Sequence, residues 1–228
     1  MTTFPTSDDG VSHASPVLPR LLLGVGLSSA VAFVALSGSN LLWLRLVTKA
    51  VPIASLMIWL LITSRDRYAT LILAGLAFSL VGDVVLEASD DLFVLGLVAF
   101  LIAHLWYIAA FLSDTRALKL WWAVPFAVWL IVVYLILLPN LHDMAVPVSA
   151  YVVVIGAMMW RASARLGQGG AMRPDQWAGA IGAVLFGVSD MLIALNRFNE
   201  PIAGAGFLII GLYWLGQLGI TLSARPTA

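Results

Sequence analysis

LFVLGLVAFLIAHLWYIAAFL, residues 92–112, runs for 21 residues without an Asp, Glu, Lys or Arg. Crossing the hydrocarbon core of a bilayer as a helix takes about 20 mostly apolar residues, so this stretch is long enough. Lipid offers no hydrogen-bond partners, and an unbroken apolar run satisfies its own N–H and C=O groups only as a helix. Comparable runs occupy 19–38, 47–63, 69–87, 119–138, 145–163, 177–196 and 203–223. The breaks between them carry turn chemistry: Ser39-Asn40, Asp90-Asp91, Pro139-Asn140, Gly167 to Asp175 and Asn199 to Pro201. Eight such runs predict an all-α, multi-pass transmembrane bundle of about eight helices. A β-barrel would show segments of about ten residues alternating apolar and polar, and none occurs.

Composition agrees. Of 228 residues, 61% are hydrophobic and 11% charged, against about 25% charged in a soluble domain. Little chain is left for a soluble domain: a polar tail over 1–18, the helical domain over 19–223 and a short tail over 224–228. The opening MTTFPTSDDGVSHASP is acidic, whereas a cleavable signal begins basic, so the first apolar run reads as a retained helix. Net charge is +0, which gives no basic field to attract nucleic acid. The absence of Cys excludes disulfides, thiolate zinc sites and cysteine nucleophiles.

Lys and Arg in short loops concentrate on the cytoplasmic side. Arg20, Arg65, Arg67, Arg116, Lys119, Arg161, Arg165, Arg173 and Arg225 fall at one end, and Arg45, Lys49 and Arg197 at the other, nine against three. Both termini are therefore expected in the cytoplasm. The membrane is expected to be a bacterial inner (cell) membrane, or the endoplasmic reticulum in a eukaryote. Trp43, Trp121, Trp122 and Trp177 lie at span ends and read as interfacial anchors.

A charge within the hydrocarbon costs about 2.5–3.5 kcal/mol even on lenient scales, so ionisable residues inside spans point to function. Asp83, in FSLVGDVVLE (78–87), and Asp190, in FGVSDMLIALNRF (186–198), stand at similar depth near the end opposite the termini. Each follows a small residue, Gly82 or Ser189, that lets helices approach, so the carboxylates are placed to face one another. The structural alternative pairs each with a cation, Lys49 or Arg197, as a helix lock. Glu87 lies one turn beyond Asp83 and Ser79 one turn before it. His104 is the one histidine within a span, with Tyr107 three residues on, and counting residues places it about 10 Å deeper than the aspartates. Tyr134 and Tyr151 lie within reach of the aspartate level, and Tyr213 with Gln217 makes a polar face on helix 8. The matched Asp motifs in helices 3 and 7 hint at two four-helix halves in parallel repeat.

Two carboxylates in a dry site push one another's proton affinities apart, giving an acid and a base from one residue type. No metal site is expected, because His13 and His142 fall outside the spans. A serine hydrolase G-x-S-x-G is absent, as are a P-loop and a G-x-G-x-x-G turn.

The stretches 78–87, 92–111 and 186–198, with their G-D, A-H-x-x-Y and S-D motifs, resemble the YhhN family, whose members include lysoplasmalogenases of bacteria and animals. The resemblance covers roughly residues 20–222 and implies the eight-span layout. It further implies cofactor-free hydrolysis of the vinyl-ether bond of a 1-alkenyl lysophospholipid, giving a fatty aldehyde and a glycerophospho-base. A vinyl ether hydrolyses by proton transfer to its β-carbon and capture of the oxocarbenium ion by water, an acid–base division of labour like that of glycoside hydrolysis. On this reading Asp83 and Asp190 are the catalytic pair. Lys49 and Arg197 attract the lipid phosphate, and Glu87, His104 and Tyr107 line or tune the pocket. The rival classes are a proton-coupled transporter, in which intramembrane acids relay ions, and a non-catalytic lipid-binding protein.

Overall fold

The computed structural model describes residues 17–224. Most of the two expected tails, and Arg225, lie outside the described residues. Within them the chain is helical with no strand: α1 Val17–Leu36, α2 Leu42–Thr63, α3 Arg67–Ala88, α4 Phe93–Asp114, α5 Ala123–Leu137, α6 Ala145–Ala164, α7 Pro174–Phe198 and α8 Ala205–Leu222. Helices α2 to α8 are long and apolar enough to cross a membrane, while α1 supplies a shorter apolar stretch, Arg20–Leu36. This is an integral membrane protein.

Local chemistry sets the helix ends. Asp66 caps α3 by accepting from the Ala69 backbone N–H at 2.7 Å. Pro174 opens α7, where its missing N–H costs nothing. Two boundaries depart from the sequence expectation in a way that matters below. Helix α2 begins at Leu42 rather than 47, because Leu42, Trp43 and Leu44 continue the apolar run past Arg45. Helix α7 continues to Phe198, two residues beyond the expected end.

Six helices close into a ring. Each of α2, α3, α4, α6, α7 and α8 packs on the next, and α8 returns to α2 and α3. Helix α1 lies outside the ring against α2, and α5 lies outside it chiefly against α6. Helices α4 and α5, though consecutive in sequence, do not pack on one another as the other consecutive pairs do. The connection between them is anchored on α6 instead: Arg161 donates to the carbonyls of Thr115 and Ala117, and Lys119 to that of Leu166. The contacts of α1 to α4 recur in α5 to α8, and the cross-contacts α4 with α6 and α8 with α2 exchange under the same shift of four helices. That pattern matches the two halves hinted at by the Asp motifs.

The most extensive helix pair, α7 with α8, depends on glycine. A Cβ at Gly182 would stand 2.6 Å from the Ile220 nitrogen and 2.7 Å from the Gly216 oxygen. One at Gly216 would stand 2.8 Å from the Phe186 nitrogen. Small residues let backbones touch where lipid supplies no hydrophobic drive. The Ser189 hydroxyl adds a clamp by donating to the Ile209 carbonyl of α8 at 2.9 Å. Together these contacts fix α8, and with it Tyr213, against the ring.

Candidate active site

Asp83 on α3 and Asp190 on α7 are both buried, and each takes a tyrosine hydroxyl from another helix. Tyr213 on α8 donates to Asp83 Oδ2 at 2.7 Å. Tyr151 on α6 donates to Asp190 Oδ2 at 2.7 Å. A hydrogen bond to a charged group contributes about 1.5–3 kcal/mol, so each tyrosine lowers the cost of holding its acid within the bundle. The pairing uses the recurrence of the fold: Asp83 meets α8 across the ring, and Asp190 meets α4, the matching helix of the other half.

On α4 that residue is His104, fully buried, with Nε2 3.3 Å from Asp190 Oδ2. Counting residues placed it about 10 Å deeper than the aspartates. The helix ends explain the difference. His104 lies 11 residues after Phe93 and Asp190 eight before Phe198, so the depths differ by only about 4–5 Å. Side chains close the rest. The ring faces Asp190, and the backbone of Phe100, one turn earlier on α4, is its second polar neighbour.

The carboxylates do not bond to one another. Phe186 stands between their surroundings, its ring 4.6 Å from His104 and 5.2 Å from Tyr213. Phe100 closes the same wall, 5.7 Å from Tyr213 and 6.0 Å from Phe186. A Cβ on Gly82 would meet the Phe100 ring at 2.6 Å, so the glycine before Asp83 is what lets Phe100 sit there.

The cations are committed elsewhere, so the helix-lock alternative is not how either aspartate is held. Lys49 binds Glu87 at 3.1 Å, and Arg45 binds the same carboxylate through Nε at 2.8 Å. In the sequence Arg45 counts only as an outer-end loop cation, because helix 2 is begun after it. One turn before Lys49, it shares that face of α2. Arg197 lies 3.8 Å from the exposed Asp90 and stacks at 5.0 Å on Phe93. Tyr107 sits apart from Asp190. Its hydroxyl donates to Gln217 Oε1 at 2.7 Å, and Gln217 Nε2 donates to Ser79 at 2.9 Å. This closed triad braces α3, α4 and α8 one turn below Asp83. Tyr134 bonds Ser149 and does not reach either acid.

Two spaces meet at the site. A narrow apolar cavity of about 50 Å³ has Asp190 and Tyr151 in its wall. A wider recess of about 520 Å³ carries Lys49, Glu87, Asp90 and Arg197. Leu86, Phe93 and Ile193 line both, so the polar recess and the cavity holding Asp190 lie on either side of one wall. Among the described residues no group of three or more His, Cys, Asp or Glu gathers to hold a metal ion.

Fold and site together define a class: a polytopic helical membrane protein with two buried, tyrosine-held carboxylates, one of them in the wall of an apolar cavity that adjoins a charged recess. Residues 44–224 match the model of the YhhN family, and the chain belongs to it. It is 36% identical over 197 residues to the Lysoplasmalogenase TMEM86A of Bos taurus, spanning 83% of this chain and 81% of the relative. It is 35% identical over 193 residues to the Lysoplasmalogenase TMEM86B of Homo sapiens, spanning 81% and 77%. A Lysoplasmalogenase of Mycobacterium tuberculosis is 37% identical over 130 residues, 54% of this chain and 46% of the relative. No solved structure matches it.

Replacing Tyr151 or Tyr213 by Phe keeps the ring and removes the donor. Each change is expected to lower turnover about tenfold or more, the scale of one charged hydrogen bond. The proportion of folded, monodisperse protein in detergent should be little altered. Full activity in both variants would show that the hydroxyls hold the helices and not the chemistry.

Proposed function

We propose that this protein hydrolyses the vinyl-ether bond of 1-alkenyl lysophospholipids, releasing a fatty aldehyde and a glycerophospho-base. The observation that carries the reading is Asp190, buried in the wall of an apolar cavity that adjoins a recess bearing Lys49 and Arg197, with Arg45 bound to the recess's Glu87. The family membership and the relatives' names support it. A lysolipid has the same division, an apolar chain joined through an ether to a charged head.

The chemistry follows from the groups present. Asp190 gives a proton to the β-carbon of the alkenyl ether, and the electron pair of the double bond forms the new C–H bond. The resulting oxocarbenium ion is captured by water, whose proton passes to the Asp190 carboxylate. The hemiacetal collapses, breaking the C–O bond to glycerol and leaving aldehyde and alcohol. His104, beside Asp190 Oδ2, positions the carboxyl and takes part in its proton exchange. Asp83 acts through the field it sets across Phe186, where negative charge stabilises the cation. Glu87 holds Lys49 and Arg45 in place, leaving the three-residue cluster with one net positive charge for the phosphodiester. Arg197 serves the same anion from the far rim. Tyr107 supports this wall from below.

The transporter alternative draws on the recurrence of the two halves, but the ring helices run unbroken at the level of the acids, whereas carriers of that kind open their helices at the site.

Asp83→Asn and Asp190→Asn keep size and much of the hydrogen bonding but cannot exchange a proton. Aldehyde release from an alkenyl lysolipid by purified protein in detergent is expected to fall about 10²–10⁴-fold in either. The double variant should be little worse than the worse single one, because the residues act as a unit. Folded variants retaining more than about a tenth of wild-type turnover would end the proposal.

We infer further that both termini and the loops bearing Arg65, Arg116 and Arg165 face the cytoplasm of a cell membrane, from the nine-to-three basic count. The chain's lack of Cys makes the test direct. An impermeant thiol reagent on intact cells should label Asp91→Cys and Asp143→Cys and spare Gly170→Cys; the reverse pattern would invert the topology.

A further inference from the structure

Helix α5 is held unlike the others. It packs chiefly on α6, touches α7 lightly and barely meets α4, though it follows α4 in sequence. It is also the least buried span, with 17% of its apolar stretch buried against 28–44% in the other candidate spans. Yet it supplies Leu130, Val133 and Leu137 to the wall of the cavity that holds Asp190. The most weakly held helix is therefore one side of the site.

Outside that wall, a bilayer-facing groove of about 480 Å³ runs between α5 and α6. Leu130 and Val152 line both the groove and the inner cavity, so these two side chains are the partition between lipid and site. Leu130 rests in the notch left by Gly156 of α6, where a Cβ would collide with its Cδ1. The inner cavity, at about 50 Å³, is far smaller than the groove. On the scale of about 10–15 Å³ per water it holds only a few water molecules, so a long chain enters only if a wall gives way. The wall least restrained by neighbours is α5.

We propose that the hydrocarbon chain of the lipid lies in the cavity beside Asp190 and enters it sideways from the bilayer past Leu130, with α5 yielding to admit it. The proposal rests on the lysolipid hydrolase reading and adds the chain site, its port and the residue that gates it. The head stays in the charged recess at the outer end. The chain's first carbons then pass Leu86 and Phe93, and the ether lies at the junction of the two spaces, beside Asp190. Leu130 thereby sets which chains enter. A larger side chain at 130 closes the port, and a smaller one relaxes the dependence on chain length.

The test uses the full-length protein in lipid nanodiscs with a lysophospholipid bearing a photoreactive diazirine near the end of its chain. After irradiation, the adduct is mapped by peptide mass spectrometry. The expected adducts fall on cavity residues such as Leu97, Val133 and Met191, and excess unlabelled lysophospholipid suppresses them. Leu130→Trp should reduce this labelling about tenfold or more, which is about 1.4 kcal/mol of lost affinity. Val128→Trp, on the exposed face of the same helix, should leave it unchanged. Leu130→Ala should keep the labelling and narrow the difference in KM between long-chain and short-chain substrates severalfold, so the proposal remains testable if the tryptophan variant does not fold. Adducts mapping instead to a second bilayer-facing groove, of about 290 Å³ and lined by α1, α2 and α8, or cavity labelling and chain-length preference indifferent to both Leu130 variants, would overturn it. Cavity labelling without aldehyde release by wild-type protein would sink the hydrolase reading and leave the chain site standing. Aldehyde release without cavity labelling would do the opposite.

Discussion

A carboxylate in hydrocarbon must be given hydrogen-bond donors or it is expelled, and this chain buries two. Much of the bundle's interior reads as provision for them. Tyr213 reaches Asp83 because α8 lies backbone to backbone on α7 through Gly182, Gly216 and the Ser189 clamp. Tyr151 reaches Asp190 because α6 enters the ring where α5 does not. Placing no lysine or arginine on either acid keeps them available as acids: a salt-bridged carboxylate is a poor proton donor, and the cations nearby are held by Glu87 and Asp90. The same separation leaves positive charge where a phosphodiester would need it.

The two halves of the ring repeat one plan and differ where function requires. In each, an aspartate on the third helix meets a polar aromatic residue from the other half, Tyr213 in one case and His104 in the other. Tyrosine donates to its acid and stays. Histidine can both accept and donate, which is why the proposed proton donor is the acid beside it, Asp190. The outlying helices differ too. Lys49 of α2, beside α1, faces a charged recess, whereas α5 covers a cavity and is weakly held. Lys49 thus marks the charged recess, and α5 the apolar cavity with Asp190 in its wall.

How much of this was legible in the sequence depends on the length scale of the signal. Seven of the spans are long and strongly apolar and α1 adds a shorter apolar stretch, so eight helices and an all-α membrane fold followed from apolar run length. Asp83 and Asp190 stood out because a charge among leucines has no bland explanation at low cost. Gly82 and Ser189 were legible as close-approach positions, and both act so. What failed was whatever depended on helix ends or on partners far away in sequence. Starting α2 five residues late left Arg45 in a loop and off the Lys49 face, and ending α7 two residues early put His104 too deep. That Lys49 would take Glu87 and not Asp83, that Tyr107 would close a triad with Ser79 and Gln217, and that α5 would leave α4 for α6 are tertiary facts. Periodicity and spacing carry no information about them.

The central claim is that a buried carboxyl group protonates carbon, and running the reaction in D₂O tests it most directly. Hydrolysis of the alkenyl lysolipid by the purified protein, with the aldehyde reduced at once to the alcohol to prevent exchange, predicts one deuterium on the carbon next to the former aldehyde, delivered to a single face. Product with no deuterium there would show that the bond breaks without proton transfer to the β-carbon, and the roles given to Asp190 and Asp83 would fall with it.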